Sequence, residues 1–332
     1  MKRIAILGAG GWGTALAIAL ARNVGEIRLW VYEPDLCERL TKSRVNDVYL
    51  PGFFLPNNVI PTTDLPVAVA GAEIVLAVIP SQYLRGVCQQ TAPLLNPEQV
   101  FVSATKGLES HTFLRMTEVI TETLQSRFQP KLAVLSGPTF SREVARGEPT
   151  AVTIASTDEE LARRLQKQFA NSTFRLYTNT DVIGVELGAA LKNVIAIAAG
   201  VCEGLSFGSN AMAALVTRGL SEITRLACAC GARRETLTGL TGLGDLVLTC
   251  TGGLSRNRRV GLELGRGRRL PEILESMRMV AEGINTTAAA VELARQKGVE
   301  MPITEQMYAV LYQDRSPADA VRELMERSLK AE

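Results

Sequence analysis

The chain has 332 residues, enough for two domains and two buried cores. Hydrophobic residues make up 46% and charged residues 21%, an ordinary globular balance that sets aside the disordered and fibrous classes. Lys plus Arg (36) nearly cancels Asp plus Glu (34), leaving a formal charge of +2, so no global field exists to recruit nucleic acid. The 6 cysteines form no C-x-x-C pair and His111 is the single histidine, so reduced thiols and no metal are expected. No uninterrupted apolar run reaches about 20 residues, and glycines end the first apolar run too early for a signal peptide. A cytoplasmic chain without integral membrane association is the expectation.

Taken in order, short β-branched runs at 4–7, 27–31, 74–79, 100–104 and 132–135 read as strands buried on both faces. Helical spacing separates them, as at 14–23 and 112–127. Another strand pair, 151–155 and 173–177, flanks a charged helix at 158–169. Strand, helix, strand, repeated, implies a parallel sheet with right-handed crossovers. Beyond about 181 the texture changes: no strand is evident over 182–230, and helices are expected at 286–297, 303–312 and 317–329.

Gly8-Ala9-Gly10-Gly11-Trp12-Gly13 directly follows the first strand and opens a helix. In the G-x-G-x-x-G pattern Gly8 permits the tight turn, Gly10 admits a pyrophosphate and Gly13 lets helix and strand pack closely. The architecture expected is therefore α/β then all-α. A Rossmann-type doubly wound sheet over residues 1–184 would bind NAD or NADP, and a helical domain over 185–332 would bind the substrate. The second strand runs into Val31-Tyr32-Glu33-Pro34. Glu33 there would accept hydrogen bonds from the adenosine ribose and repel a 2′-phosphate, while Tyr32 would stack on adenine. A surface Glu before a Pro-initiated helix is the plainer alternative. Arg39, Lys42 and Arg44 on that helix could also accommodate a phosphate, so both dinucleotides stay open.

Hydride transfer at a carbinol needs a group that handles the oxygen's proton. His111 sits where a loop turns into a helix and suits a capping or surface role. Lys192 stands out, in Leu187-Gly188-Ala189-Ala190-Leu191-Lys192-Asn193-Val194-Ile195, because the helix is apolar on every side. Such a lysine either snorkels to water or, facing a cleft beside a second cation, has its pKa lowered toward an acid/base role. Lys106 is that second cation, at the carboxyl end of a strand. Ser136-Gly137-Pro138-Thr139 ends the next strand with N–H groups able to hold an anion or carboxamide. Farther on, a glycine-rich segment delivers Asp245 and Thr249, then Ser255-Arg256-Asn257 at a helix start. Arg256 is suited to bidentate phosphate binding and the helix dipole adds attraction at Asn257.

These segments together resemble the bacterial NAD(P)-dependent glycerol-3-phosphate dehydrogenase family. Lys106-Gly107-Leu108-Glu109, Ser136-Gly137-Pro138-Thr139-Phe140, Leu191-Lys192-Asn193-Val194 and Gly242-Leu243-Gly244-Asp245-Leu246, in this order, are far more specific than glycines alone. The resemblance implies reversible conversion of sn-glycerol 3-phosphate and dihydroxyacetone phosphate, supplying phospholipid synthesis. It makes Lys192 the proton acceptor or donor, with Lys106 on the substrate oxygen, Asp245 orienting the ammonium and Thr249 in support. Gly137, Thr139, Ser255, Arg256 and Asn257 would hold the substrate. Gly11, Trp12, Lys106, Ser141, Arg256, Val280 and Glu282 would line the cofactor. Many relatives carry a basic residue or His near Tyr32 and Glu33, and Ala where Ser141 stands. A homodimer through the helical half is also implied. Two other readings compete: a hydroxyacid or ketoacid reductase of the same layout, which would not need Arg256-Asn257, and a nicotinamide sensor, which would not need a buried Lys192 with Asp245.

Overall fold

β-Branched runs too short for helices, alternating with segments that cap and spiral, lead a chain to lay its strands side by side with helices outside. A computed structural model describes residues 3–277 and 280–329. Ten strands are described: β1 (Arg3–Leu7), β2 (Glu26–Trp30), β3 (Val45–Asn46), β4 (Leu50–Phe54), β5 (Val59–Thr62), β6 (Ile74–Ala77), β7 (Val100–Ser103), β8 (Lys131–Ser136), β9 (Thr150–Ala155) and β10 (Phe174–Asn179). Eight form one sheet in the order β10-β9-β8-β7-β6-β1-β2-β5, and β3 with β4 makes a small hairpin.

The five expected central strands are present and parallel, with Ile4 opposite both Ile27 of β2 and Ile74 of β6. Because side chains alternate, Ile4, Ile6, Leu29, Leu76 and Val102 join one core, while Ala5, Leu7, Trp30, Val75 and Phe101 join a second on the other face. The sheet is not parallel throughout. β9 runs antiparallel to β8, and β10 follows β9 in parallel. A reversed pair of strands at the edge of a parallel sheet leaves the faces covered as before, so hydrophobic runs alone do not reveal it. β5 was not foreseen either: Pro61 within Val59–Thr62 weakens the strand signal, and an edge position is where a proline is tolerated.

The described residues gather into two compact units. One comprises the chain up to Lys106 with Leu114–Glu186; the other comprises Gly107–Phe113 with the chain from Leu187 onward. The second unit's long helices include Val182–Gly204, which enters it at Leu187, and Ser209–Ala229. By length and composition Val182–Gly204 is apolar enough to cross a membrane, although most of it is buried in the fold. Glu186, Lys192 and Glu203 interrupt its apolar sequence.

Helix Arg256–Gly265 lies against this helix backbone to backbone. A Cβ on Gly200 would stand 1.9 Å from the Arg258 carbonyl oxygen, and one on Gly261 would stand 1.8 Å from that of Ile197. Elsewhere Glu222, buried on Ser209–Ala229, caps a different helix. Its carboxylate accepts from the N–H groups of Ile303 (2.7 Å) and Thr304 (3.2 Å), at the start of Pro302–Tyr312. Burial pushes the Glu222 carboxyl up to about 7, against the pull of those donors.

The glycine crossing has a direct consequence. Gly261→Ala is expected to destabilise the protein by about 2–4 kcal/mol, because backbone rather than a flexible side chain must yield. Gly253→Ala, where nothing lies within 4 Å of the added carbon, is expected to be neutral. Thermal denaturation of the two variants checks this; equal midpoints would mean the helices part without penalty.

Candidate active site

The carboxyl ends of the parallel strands β8, β7, β6, β1 and β2 open on one edge of the sheet, and the order reverses at β1, which has β2 on one side and β6 on the other. Such an edge is where doubly wound sheets bind ligands. The glycine-rich turn leaves β1 here and enters helix Gly11–Leu20. Gly8 has φ +114°, and a Cβ on Gly13 would lie 1.9 Å from the Gly8 carbonyl oxygen. Above Gly10 there is nothing within 4 Å of an added Cβ. No acidic residue occupies the helix's first turn, so its N–H groups and positive dipole end favour an anion. Trp12 adds a buried Nε1 that finds no acceptor among the described residues. A closed turn, open space above it and an orphaned donor fit a dinucleotide pyrophosphate.

Tyr32 is 76% exposed at the end of the second strand, its ring edge-on to Trp30. Glu33 accepts a 2.6 Å hydrogen bond from the Tyr49 hydroxyl. The basic residues of the next helix are engaged elsewhere. Arg39 pairs with Asp35 and Asp47, Lys42 with Glu38, and Arg44 donates to the carbonyls of Pro56 and Val59.

Three residues beyond β7, the Lys106 ammonium donates to the Gly137 carbonyl (3.0 Å) and the Thr139 hydroxyl (3.2 Å). Gly137 has φ +145°, and a Cβ there would press on the Val152 backbone at 3.0 Å. Ser141 begins helix Ser141–Arg146, with its Oγ 3.8 Å from where a Gly11 Cβ would be. Lys106, Gly137 and Thr139 are therefore brought together, and so are Ser141 and the glycine turn.

In the helical unit Lys192 is buried as its apolar surroundings imply, and it does not snorkel. Its Nζ donates to Asp245 Oδ1 at 2.8 Å and to Thr249 Oγ1 at 2.6 Å, with side-chain exposures of 7% for Lys192 and 2% for Asp245. Thr249 in turn donates to the Asp245 backbone carbonyl at 2.6 Å. The glycine-rich segment makes this possible by winding Leu240–Gly244 into one π-helical turn directly before helix Asp245–Thr251. A Cβ on Gly242 would meet the Leu237 carbonyl oxygen at 1.9 Å. Such π turns are rare and concentrate at functional sites.

Ser255 caps helix Arg256–Gly265 by accepting from the Arg258 N–H at 3.2 Å. Arg256 donates to the Val280 carbonyl at 2.9 Å. Asn257 is buried with its carboxamide turned inward, donating to Asn193 Oδ1 (2.9 Å) and accepting from the Gly283 N–H (3.0 Å). What Asn257 leaves for an anion is chiefly the dipole end it shares with Arg256. Glu282 opens helix Glu282–Lys297 beside Gly283. His111 lies exposed in a turn.

Sequence reasoning missed the residues that hold these groups. Asn46, fully buried, donates to the Ala9 carbonyl and Thr14 hydroxyl under the glycine turn, both at 2.8 Å. The Thr105 hydroxyl ties the ends of β6 and β7 by donating to the Ile79 carbonyl at 2.8 Å. Asn193 was visible only as the neighbour of Lys192; its link to Asn257 joins the lysine's helix to the Arg256 helix.

Comparison with known proteins agrees with this geometry. Residues 3–162 match the family described as the NAD-dependent glycerol-3-phosphate dehydrogenase N-terminus, and residues 181–322 match its C-terminus. The chain is 60% identical to glycerol-3-phosphate dehydrogenase [NAD(P)+] of Koribacter versatilis, over 98% of each chain. It is 55% identical to that of Syntrophotalea carbinolica, over 99% of each. A crystal structure of a glycerol-3-phosphate dehydrogenase from Coxiella burnetii superposes with a TM-score of 0.94 at 43% identity, covering 98% of this chain and 99% of the other. The chain belongs to the NAD(P)-dependent glycerol-3-phosphate dehydrogenase family.

Proposed function

We propose that this chain interconverts dihydroxyacetone phosphate and sn-glycerol 3-phosphate with NADH or NADPH, providing glycerol phosphate for phospholipid synthesis. The observation that carries this reading is the buried contact of the Lys192 ammonium with Asp245 and Thr249. An unpaired buried ammonium would be strongly disfavoured, and the adjacent carboxylate offsets that while fixing where Nζ points. A dihydronicotinamide, when bound, supplies a hydride to the carbonyl carbon.

Lys192 delivers a proton from Nζ to the carbonyl oxygen as the ketone is reduced, and takes it back in the reverse direction. Asp245 and Thr249 orient that Nζ by accepting its hydrogen bonds. Lys106, held by Gly137 and Thr139, contributes a second positive charge for the substrate oxygen. Arg256, with the helix start that Ser255 caps, receives the phosphate. The glycine turn, Trp12, Ser141, Val280 and Glu282 are assigned to the dinucleotide. Arg256 together with the dipole of the helix start it opens offers more positive charge than a ketoacid's single carboxylate would use, and this favours a phosphorylated substrate. A homodimer through the helical half and a cytoplasmic location belong to the same reading, the dimer being checked by sedimentation.

Lys192→Ala is expected to lower kcat with dihydroxyacetone phosphate by roughly 100-fold or more, while NADH still binds. Turnover near that of the unaltered protein would end the assignment of Lys192. Arg256→Ala is expected to raise KM for dihydroxyacetone phosphate by roughly tenfold or more with a smaller change in kcat. An equal loss with unphosphorylated dihydroxyacetone would remove the arginine from phosphate recognition.

A further inference from the structure

We propose that Tyr49 is a positioning residue for dinucleotide selection: it holds the Glu33 carboxylate toward the adenosine ribose, so that NAD is taken in preference to its 2′-phosphorylated form. This rests on the dinucleotide reading above and deepens it by naming what sets the choice.

Glu33 immediately precedes helix Pro34–Ser43, yet its side chain does not cap that helix. A carboxylate at such a position usually turns back to the first free N–H groups. Here the Tyr49 hydroxyl holds Oε1 at 2.6 Å instead, and Oε2 accepts no hydrogen bond from the described residues. One oxygen is fixed and the other is available, as required of an acceptor for a ribose hydroxyl. The phenol is a durable donor, since its hydrogen bond to Glu33 and its own burial push it up to about 12.

Tyr49 is itself anchored to the dinucleotide turn. Its N–H donates to Asn46 Oδ1 at 2.9 Å, and the Asn46 amide holds the Ala9 carbonyl and the Thr14 hydroxyl. The Tyr49 carbonyl oxygen also sits 2.9 Å from where a Cβ on Gly11 would be, so the turn and the tyrosine are packed in one register. Glu33 is thereby tied to the glycine turn through Tyr49 and Asn46. A 2′-phosphate would meet a held carboxylate. Arg39, Lys42 and Arg44, the cations of the adjacent helix, are committed to Asp35 and Asp47, to Glu38, and to backbone carbonyls respectively.

The test is a double-mutant cycle on Tyr49→Phe and Glu33→Gln, read by fluorescence titration of NADH and NADPH and by steady-state kinetics with dihydroxyacetone phosphate. The unaltered protein is expected to bind NADH more tightly than NADPH. Losing one hydrogen bond to a charged group should shrink that ratio about five- to tenfold in Tyr49→Phe, with kcat little changed. In the Glu33→Gln background the tyrosine change should have no further effect, because Tyr49 acts through the carboxylate. An unmoved ratio with a lower melting temperature would make Tyr49 merely structural and overturn the proposal. So would a loss that persists in the Glu33→Gln background, or an unaltered protein that binds NADPH as tightly as NADH. If the unaltered protein bound neither dinucleotide, the dinucleotide reading itself would fail, which is a separate result.

Discussion

An ammonium cannot remain charged inside an apolar helix bundle unless a counter-charge is brought to it, and Lys192 makes that demand on the helical unit. Asp245 and Thr249 answer it from a helix far along the chain, and they reach Nζ because the backbone before them is wound into a π turn. Removing either charge alone would leave the other buried and unpaired, a larger penalty than the pair itself contributes in net stability. The arrangement is therefore weak as a stabilising device and strong as an orienting one. A pair kept at such a cost in desolvation fits a role in chemistry better than a role in the core.

The same economy of space governs the glycines. Gly13 beneath the dinucleotide turn and Gly261 at the helix crossing occur where a carbonyl oxygen of another segment occupies the place of a Cβ. The first brings a helix dipole up to a strand end; the second brings the Arg256 helix against the helix that carries Lys192. Asn257 completes this second approach by spanning Asn193 and the Gly283 N–H. Close backbone approach thus fixes the distance between Lys192 and the start of the Arg256 helix within the helical unit.

The central strands, the glycine turn and the buried Lys192 were legible because each has a local signature: compact β-branched runs, glycines at set spacing, and an apolar helix with one cation. Hydrophobicity alone did not reveal that β9 runs opposite to β8, since burial on both faces looks the same in either direction. β5 was hidden by Pro61, and the β3–β4 hairpin by its brevity. Tyr49 and Asn46 were unreadable for a different reason. A buried asparagine becomes informative only when its partners are known, and those partners, Ala9 and Thr14, lie far away in sequence. Motif reasoning named candidate ligand-facing residues and missed the buried groups, such as Asn46 and Thr105, that brace the segments carrying them.

Gly107–Phe113 groups with the helical unit although the residues on both sides of it belong to the sheet-bearing unit. Both units are thus discontinuous in the chain, and the first is completed only across an excursion into the second. During synthesis this short stretch leaves the ribosome well before the helices it will join, so it must wait for them. Loop closure over such a separation is slow compared with local helix formation. Cutting the gene at the apparent domain junction would deprive the helical half of one of its own pieces.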